Sequence, residues 1–321
     1  MPLAPPPPGA APEPLADDVR ALAWLGAEYG ALLAVIDAAA AAGRPGHDRS
    51  ACLLAWALEP FFDRRGHWHD WQQAQHTALD AALRLADPAM EARGLRGLAR
   101  AEGRLGLLDR CEPRLERALE LFTGLGDDLG RANTHRSLGW VSEQRGDLTG
   151  ALRHNQLALD LFRSTGHRAA QAGVLNSVGW YHALRGEYRQ ALNHCFDALA
   201  MLQELGDRYG QATTWDSIAY VYHHLGRHPH ALLGYRNALT LLREHGVPYL
   251  EAVTLVRIGD TLFATGDHEA ARASWREALA LLTPLGHPDA DRVGARLRGQ
   301  DEHLGAGIGV GVGVGVGVGV G

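Results

Sequence analysis

Four histidines lie within eight positions in the segment IAYVYHHLGRHPHAL, residues 218–232: His223, His224, His228 and His230. Imidazoles at this density can bind a metal ion or exchange protons with a substrate. A zinc ion, however, needs three or four ligands that converge on one point. Histidine is also favoured near a helix C-terminus, because its charged form interacts well with the helix dipole. The elements that carry the four side chains therefore decide between these interpretations.

A forty-residue period in the sequence predicts those elements. Six units between residues 47 and 286 share one register, and the unit 207–246 aligns on 167–206 without a gap. A glycine recurs in every unit, at Gly66, Gly106, Gly146, Gly186, Gly226 and Gly266. An Ala-Leu pair recurs farther along each unit, starting at Ala78, Ala118, Ala158, Ala198, Ala238 and Ala278. Because glycine is the usual residue just past a helix end, each unit is predicted to be a helix, a turn and a second helix.

The repeated residues resemble the tetratricopeptide repeat, whose pattern is W-x2-L-G-x2-Y followed by A-x3-F. In one unit the pattern falls on Trp215, Ile218, Ala219, Tyr222, Ala231 and Tyr235. It recurs on Leu175, Val178, Gly179, Ala191 and Cys195, and again on Leu255, Ile258, Gly259, Ala271 and Trp275. The usual repeat has about 34 residues, so the helices of this chain are expected to be longer by most of a turn. The resemblance implies an all-α, right-handed superhelical solenoid.

The remaining sequence flanks this array. Residues 1–14 are rich in proline and are predicted to be disordered, and 15–46 reads as an amphipathic N-terminal helix. The six repeats follow at 47–286, and 287–304 is a partial repeat or capping helix. Residues 305–321 form a low-complexity Gly-Val tail, in which alternating glycine removes helix propensity.

A second resemblance concerns the start of the array. The segments WLGAEYGALLAVIDAA and AWALEPFFDRRGHWHDW are similar to the junction between the ATPase part and the C-terminal repeat array of actinobacterial NB-ARC/SARP-type transcriptional regulators, which are STAND ATPases. This resemblance implies the sensor array of such a regulator without its ATPase and DNA-binding parts. A GxxxxGK[ST] phosphate loop is excluded, because the chain has no lysine.

Composition narrows the classes of function. The formal net charge of −6 argues against a nucleic-acid surface, which needs an excess of basic residues. Three widely spaced cysteines and the absence of a signal-peptide pattern indicate a cytoplasmic protein. No membrane segment or cofactor motif is evident. No HExxH, GxSxG or other catalytic pattern occurs, so the chain is not expected to be an enzyme.

In stacked helical pairs, the first helices line a concave groove. The residues predicted to face this groove are Arg93, Arg96, Arg100, Asn133, Arg136, Trp140, Glu143, Asn176, Trp180, Thr213, Asp216, Tyr220 and His223. One interpretation is a solvated face partly covered by neighbouring helices. The other is a peptide-binding groove, in which asparagines hold an extended backbone and aromatic rings supply apolar contacts. The arginines favour an acidic or phosphorylated partner, unless neighbouring carboxylates neutralise them.

Three functions follow from this groove. The first is binding of a protein or peptide partner within a bacterial regulatory or signalling system. The second is capture of a small-molecule effector by a sensor array, and the third is hydrolysis that uses groove histidines. An uncapped apolar edge at 287–303 also predicts homo-oligomers formed through the terminal repeats.

The register assigns each histidine of the opening segment to an element. His223 and His224 end a first helix at the rim of the groove, His228 lies in the turn, and His230 begins the second helix. Other units hold unrelated residues at these positions, so the fold does not require histidine there. Packing, capping and partner contact are therefore preferred to a metal site.

Overall fold

The computed structural model describes residues 18–299, which form fourteen α-helices and no β-strand. The all-α class is thereby confirmed. Helix α1 spans Asp18–Ala41 and α14 spans Asp289–Leu297. Between them lie α2 (Pro45–Arg65), α3 (Trp68–Leu85), α4 (Pro88–Arg104), α5 (Leu108–Leu125), α6 (Asp128–Gln144), α7 (Leu148–Ser164), α8 (Arg168–Leu184), α9 (Tyr188–Glu204), α10 (Arg208–His224), α11 (His228–His245), α12 (Pro248–Ala264) and α13 (His268–Leu285). The expectations for residues 1–14 and 305–321 fall outside the described residues.

The helix boundaries follow from capping residues that recur with the period. Asp87, Asp127 and Asp207 precede α4, α6 and α10, and each accepts hydrogen bonds from backbone N–H groups of the first turn. Such a cap stabilises a helix by about 1 kcal/mol. Between the helices of most pairs, the repeated glycine takes a positive φ, as at Gly146 with φ 78°. A side chain would be strained in this conformation. The aspartate and the glycine thus mark the start and the end of the first helix in such pairs.

Within each pair, two positions sixteen residues apart pack against each other. The alanines of the repeated Ala-Leu pair are buried, and they let the second helix approach its neighbours. In α12 and α13, Gly259 leaves room for the indole of Trp275, with which an added Cβ would clash. In α8 and α9, Gly179 faces the smaller Cys195. The core of each pair is therefore built from side chains of complementary size on its two helices.

The superhelix contacts itself after six pairs. The ring of Trp68, at the start of α3, lies 5.4 Å from the ring of Tyr249 and 5.3 Å from that of His287. The guanidinium of Arg64 lies 4.6 Å from the ring centre of Tyr209 on α10. Helix α2 also packs beside α12. The first pair thus meets the fifth and sixth pairs, and we name these contacts the closure contact.

Both ends of the array are covered. Helix α1 packs on α2 and α3 and buries Leu22 and Ile36. Helix α14 packs on α13 and buries Val293. Over its described part, the apolar edge expected at 287–303 is partly covered, because Trp68 packs against His287 and Val293 is buried. Homo-oligomer formation stays a prediction, without that support.

One helix in the described part of the chain, Arg20–Ala41, is long and apolar enough to cross a membrane by length and composition alone. It lies near the N-terminus, and little of it is buried.

Burial of the three cysteines gives a first testable prediction. Burial raises the pKa of Cys52 to about 11, and those of Cys111 and Cys195 to about 12. Because the thiolate is the reactive form, iodoacetamide at pH 8 is expected to leave the folded protein unmodified. Intact-mass spectrometry should show three adducts only after unfolding in guanidinium. Rapid modification of Cys111 or Cys195 without denaturant would contradict the packing described.

A second prediction concerns the contact between α6 and α7. The Nδ1 atoms of His135 and His154 lie 3.1 Å apart, so one ring must donate and the other accept. Burial, and then the neighbouring ring of His154, lowers the pKa of His135 from 6.5 to about 4. The folded protein therefore favours neutral His135. Its contribution to stability is complete above pH 6.5. It is lost as the pH falls towards 4, because the unfolded chain takes up a proton that the folded protein does not.

The free energy of unfolding in urea is therefore expected to fall between pH 7.5 and pH 4.5. His135→Gln should make this fall less steep, because it removes one of the titrating groups. His69→Gln, at an exposed position on α3, is the matched control and should keep the wild-type slope. Equal slopes for the two variants would show that His135 does not titrate as described.

Candidate functional site

A cavity opens among the inner faces of α2, α4, α6 and α8, and we name it the inner cavity. The empty space at this site is about 660 Å³ when the open solvent at its mouth is counted, and about 60 Å³ of it can hold the centre of a water molecule. Its lining within the described residues consists of Asp63, Arg96, Ala99, Arg100, Arg104, Leu115, Asn133, Arg136, Ser137, Trp140, Val141, Asn155, Ser177 and Tyr181. Five of the predicted groove residues are among them, namely Arg96, Arg100, Asn133, Arg136 and Trp140.

Two carboxylates of α2 hold three arginines of α4. Glu59 accepts from Arg96 over 3.3 Å and from Arg100 over 2.9 Å. Asp63 accepts from Arg100 over 3.0 Å and from Arg104 over 2.8 Å. The arginines follow one another at intervals of four residues, so one face of α4 presents all of them to α2. Neutralisation by neighbouring carboxylates, one of the two interpretations of these arginines, therefore applies to this set.

We name these two carboxylates and three arginines the α2–α4 ladder. Local structure explains the close packing at Glu59 and the charge of Asp63. Gly97 has no side chain, and an added Cβ would lie 2.6 Å from the Glu59 Oε1 atom and 2.6 Å from the Gln75 Oε1 atom. The absence of a Cβ thus allows α2 and α4 to approach here. Burial by itself would raise the pKa of Asp63, but the charges of Arg104 and Arg100 hold it below its usual value. Asp63 is therefore ionised at neutral pH.

Arg93 is the predicted arginine that lies outside the inner cavity. Its guanidinium lies 6.0 Å from the ring centre of Trp56 on α2. It also lines a smaller cavity beside Cys52.

Helix α6 contributes the opposite wall of the inner cavity. Arg136 donates to the Asn133 Oδ1 atom over 3.4 Å. Burial, and then the positive charges of Arg100 and Arg96, lowers the pKa of Arg136 to about 10. The indole N–H of Trp140 is buried and has no acceptor among the described residues. On this wall, the guanidinium of Arg136 therefore lies near those of Arg96 and Arg100. The N–H of Trp140 lies there without an acceptor among the described residues.

The other predicted groove residues belong to a different environment. Asn176, Trp180, Thr213 and Asp216 are exposed by only 3, 1, 3 and 2 % of their surfaces. They were predicted as contact residues in an open groove, and the structure shows that they are buried. The cause is the tight curvature of the array, which packs α8 against α10 and α10 against α12 along their inner faces.

These residues form a buried polar network around Arg257. Arg257 donates to Asp216, which also accepts from the Thr254 hydroxyl over 3.1 Å. The guanidinium lies 4.8 Å from the ring centre of Trp180 and 5.6 Å from that of Tyr220. Such a stack adds a cation–π attraction to the ion pair. The network therefore ties α8, α10 and α12 together.

Glu143 links this network to α6. Its Oε1 atom accepts from the indole N–H of Trp180 over 2.8 Å. Burial raises the pKa of Glu143 to about 7, although the hydrogen bond from Trp180 and the charge of Arg257 oppose the shift. This carboxyl therefore titrates near neutral pH.

Three histidines of the opening segment lie together, with 5.1 Å between the rings of His223 and His224, and His228 begins α11 instead of lying in the turn. His223 is half-buried, and its Nδ1 atom lies 2.9 Å from the Thr261 hydroxyl oxygen. His224 is exposed and lies against the ring of Tyr220, with 4.0 Å between the ring centres. His228 lies beside His223, with 5.5 Å between their rings. No group of three or more His, Cys, Asp or Glu side chains is placed to hold a metal ion in residues 18–299.

Sequence reasoning missed several residues of the site. Asp63 occupies the same position in its unit as Glu143 and His223 do in theirs, so the register alone would have indicated it. Glu59 and Arg257 lie one position away from groove positions and gave no such signal. The equivalent positions face the inner cavity in other units as well, at Ala99 for Glu59 and at Ser137 and Ser177 for Arg257.

The α2–α4 ladder yields a third prediction. Glu59→Gln leaves two largely buried guanidiniums with less compensating charge, so the free energy of unfolding should fall by about 2–4 kcal/mol. Glu120→Gln removes the carboxylate of an exposed pair with Arg117 and should cost less than about 0.5 kcal/mol. Urea unfolding followed by circular dichroism measures both. Equal losses in the two variants would contradict a buried role for Glu59.

Comparison with known proteins agrees with this geometry. Residues 90–164 match the sequence profile of the tetratricopeptide repeat family. No curated protein sequence is significantly similar to the chain. The resemblance to the tetratricopeptide repeat is thus confirmed over those residues, whereas the resemblance to actinobacterial NB-ARC/SARP-type regulators stays a prediction.

Solved structures show the same fold. A Rap protein complexed with Competence and Sporulation Factor matches with a TM-score of 0.59 and 14% identity, over 79% of this chain and 76% of that chain. The apo form of RapI matches with a TM-score of 0.60 and 13% identity, over 74% and 85%. A STAND protein with a tetratricopeptide repeat sensor from Pyrococcus horikoshii matches with a TM-score of 0.54 and 13% identity, over 88% and 52%. At these identities the likeness shows the fold alone. The chain therefore folds as a helical repeat solenoid of the tetratricopeptide type, a fold that generally mediates protein–protein interaction.

Proposed function

We propose that this chain is the non-catalytic binding module of a bacterial regulatory or signalling system, and that its inner cavity receives a short peptide segment of a partner. The observation that carries the proposal is the cavity itself. It lies on the inner faces of four helices, in the kind of concave site where ligands usually bind. Amide and hydroxyl groups of Asn133, Ser137 and Ser177 line it beside the ring of Trp140. Such groups can satisfy a peptide backbone while the indole contacts an apolar side chain.

The closure contact determines the size of what binds. In an open solenoid, a long helix or a folded partner can lie along the whole concave face. Here the inner faces of α8, α10 and α12 pack together and bury their polar residues. The space left between α2, α4, α6 and α8 admits a chain end or a short loop. We therefore expect recognition of a few residues.

The regulatory role is supported by two likenesses. The junction between α1 and the first pair resembles the start of a repeat array in STAND regulators. The solved structures that share the fold include a Rap protein and the STAND protein of P. horikoshii. Both likenesses favour a role in signalling, in which a ligand changes the interaction of the module with another protein.

A second candidate function is capture of a small-molecule effector. The closure contact and the limited volume of the inner cavity favour it. Both functions place the ligand at the same residues, so the size of the ligand separates them.

The test compares capture by two variants of the full chain. Asn133→Ala combined with Trp140→Ala alters the wall of the inner cavity, and Phe196→Ala alters an exposed ring on α9. A partner from the native lysate should be lost with the first variant and kept with the second. Circular dichroism and thermal melting must first show that both variants are folded.

The outcome distinguishes the functions. Native mass spectrometry of the wild-type protein should show an added peptide or protein; an added mass below about 1,000 Da that no protease removes would instead support the small-molecule effector. If the partners are identical for wild type and the cavity variant, the inner cavity is not the binding site.

A further inference from the structure

The inner cavity carries more positive than negative charge. Its lining holds four arginines, and Asp63 is the one carboxylate among the described lining residues. Glu59, which accepts from Arg96 and Arg100, adds a second. Four positive charges against two negative ones leave an excess of two. Because opposite charges attract strongly where water is excluded, the cavity favours a ligand with two negative charges.

The excess is concentrated where α4 faces α6. Arg96, Arg100 and Arg104 share the two carboxylates of α2. Arg136 approaches from α6 and has the side-chain oxygen of Asn133 at 3.4 Å. Arg96 and Arg100 lie near enough to lower its pKa. An anion that enters between these cations would reduce their mutual repulsion.

One neutral donor borders the same space. The hydroxyl oxygens of Ser137 and Ser177 also line the cavity, and their O–H groups donate to the Asn133 and Gly173 carbonyls. The buried N–H of Trp140 has no acceptor in the described part of the chain, as expected of a donor whose acceptor arrives with a ligand. An oxyanion with three terminal oxygens can accept from this N–H and from a guanidinium at once. The apolar side chains of Leu115 and Val141 leave room for the group that carries it.

We infer that the inner cavity binds a phosphate monoester dianion, with Arg136 as its principal cation. This inference rests on the proposed function only in using the same cavity, since it assigns the chemical class of the ligand. The phosphate can belong to a small organic molecule or to a phosphorylated side chain of a peptide. The experiment has one arm for each source.

Isothermal titration calorimetry on the full chain measures binding of phenyl phosphate and of acetyl-Ala-phosphoserine-Ala-amide, with inorganic phosphate and benzoate as reference ligands. At least one of the two esters is expected to bind with one-to-one stoichiometry, and more tightly than either reference ligand. The tighter ester identifies the source. Its binding should also raise the melting temperature, because a ligand of the native state stabilises it.

Two variants test the residues. Arg136→Gln should weaken ester binding by at least roughly tenfold, because a charge-assisted hydrogen bond is lost. Asn133→Asp places a carboxylate beside Arg136. It should weaken binding similarly, because the new carboxylate would pair with the guanidinium. Arg189→Gln removes the same charge from an exposed position on α9 and should bind as the wild type does. Circular dichroism and thermal melting without ligand must first show that all three variants are folded.

Several outcomes would overturn the inference. These are the absence of saturable ester binding to the wild type, equal affinity for benzoate and phenyl phosphate, and equal losses in the Arg136 and Arg189 variants. If the esters fail to bind while partner capture still depends on Asn133 and Trp140, the proposed function stands and this inference falls. If the esters bind as expected but capture does not depend on the cavity, the inference stands and the proposed function falls.

Discussion

The closure contact is the constraint on which the rest of the structure depends. Trp68 stands against Tyr249 and His287, and through these rings the first pair is held against the last pairs. This contact requires the array to curve tightly, so that neighbouring first helices meet along their inner faces. The concave surface, which solvent would fill in a more open solenoid, becomes a core in one half and a cavity in the other.

Because the array curves tightly, charged residues of its inner face are buried inside the protein. Arg257 and Asp216 would be ordinary solvated residues on an open concave face, whereas here they form an ion pair inside the protein. Burying such a pair gains little net stability, because desolvation of both charges offsets most of their attraction. Its benefit lies in specificity: Asp216, Arg257 and the rings around them fit together in one arrangement of α8, α10 and α12. The apolar contacts of each pair supply the stability, and the polar network links neighbouring pairs through α8, α10 and α12.

The sequence predicted the fold far better than the site. Recurring Gly146 and its equivalents, and the aspartates before the helices, determine local structure, so the period alone yields helical pairs. It also indicated correctly that Asn133, Arg136 and Trp140 share a face with the arginines of α4. It did not indicate that Trp180 and Asp216 would be buried. The curvature that buries them comes from contacts between residues nearly two hundred positions apart, such as Trp68 and Tyr249, and a forty-residue period contains no information about them.

The closure contact also limits how the number of repeats in such a chain can change in evolution. Open solenoids tolerate the gain or loss of a repeat, because each unit contacts only its neighbours. In this chain, a deleted pair would leave Trp68 without Tyr249 and His287, and an inserted pair would carry α12 past α2. The number of repeats is therefore fixed by geometry in the way that the number of strands is fixed in a barrel, and divergence must proceed by substitution within the six pairs.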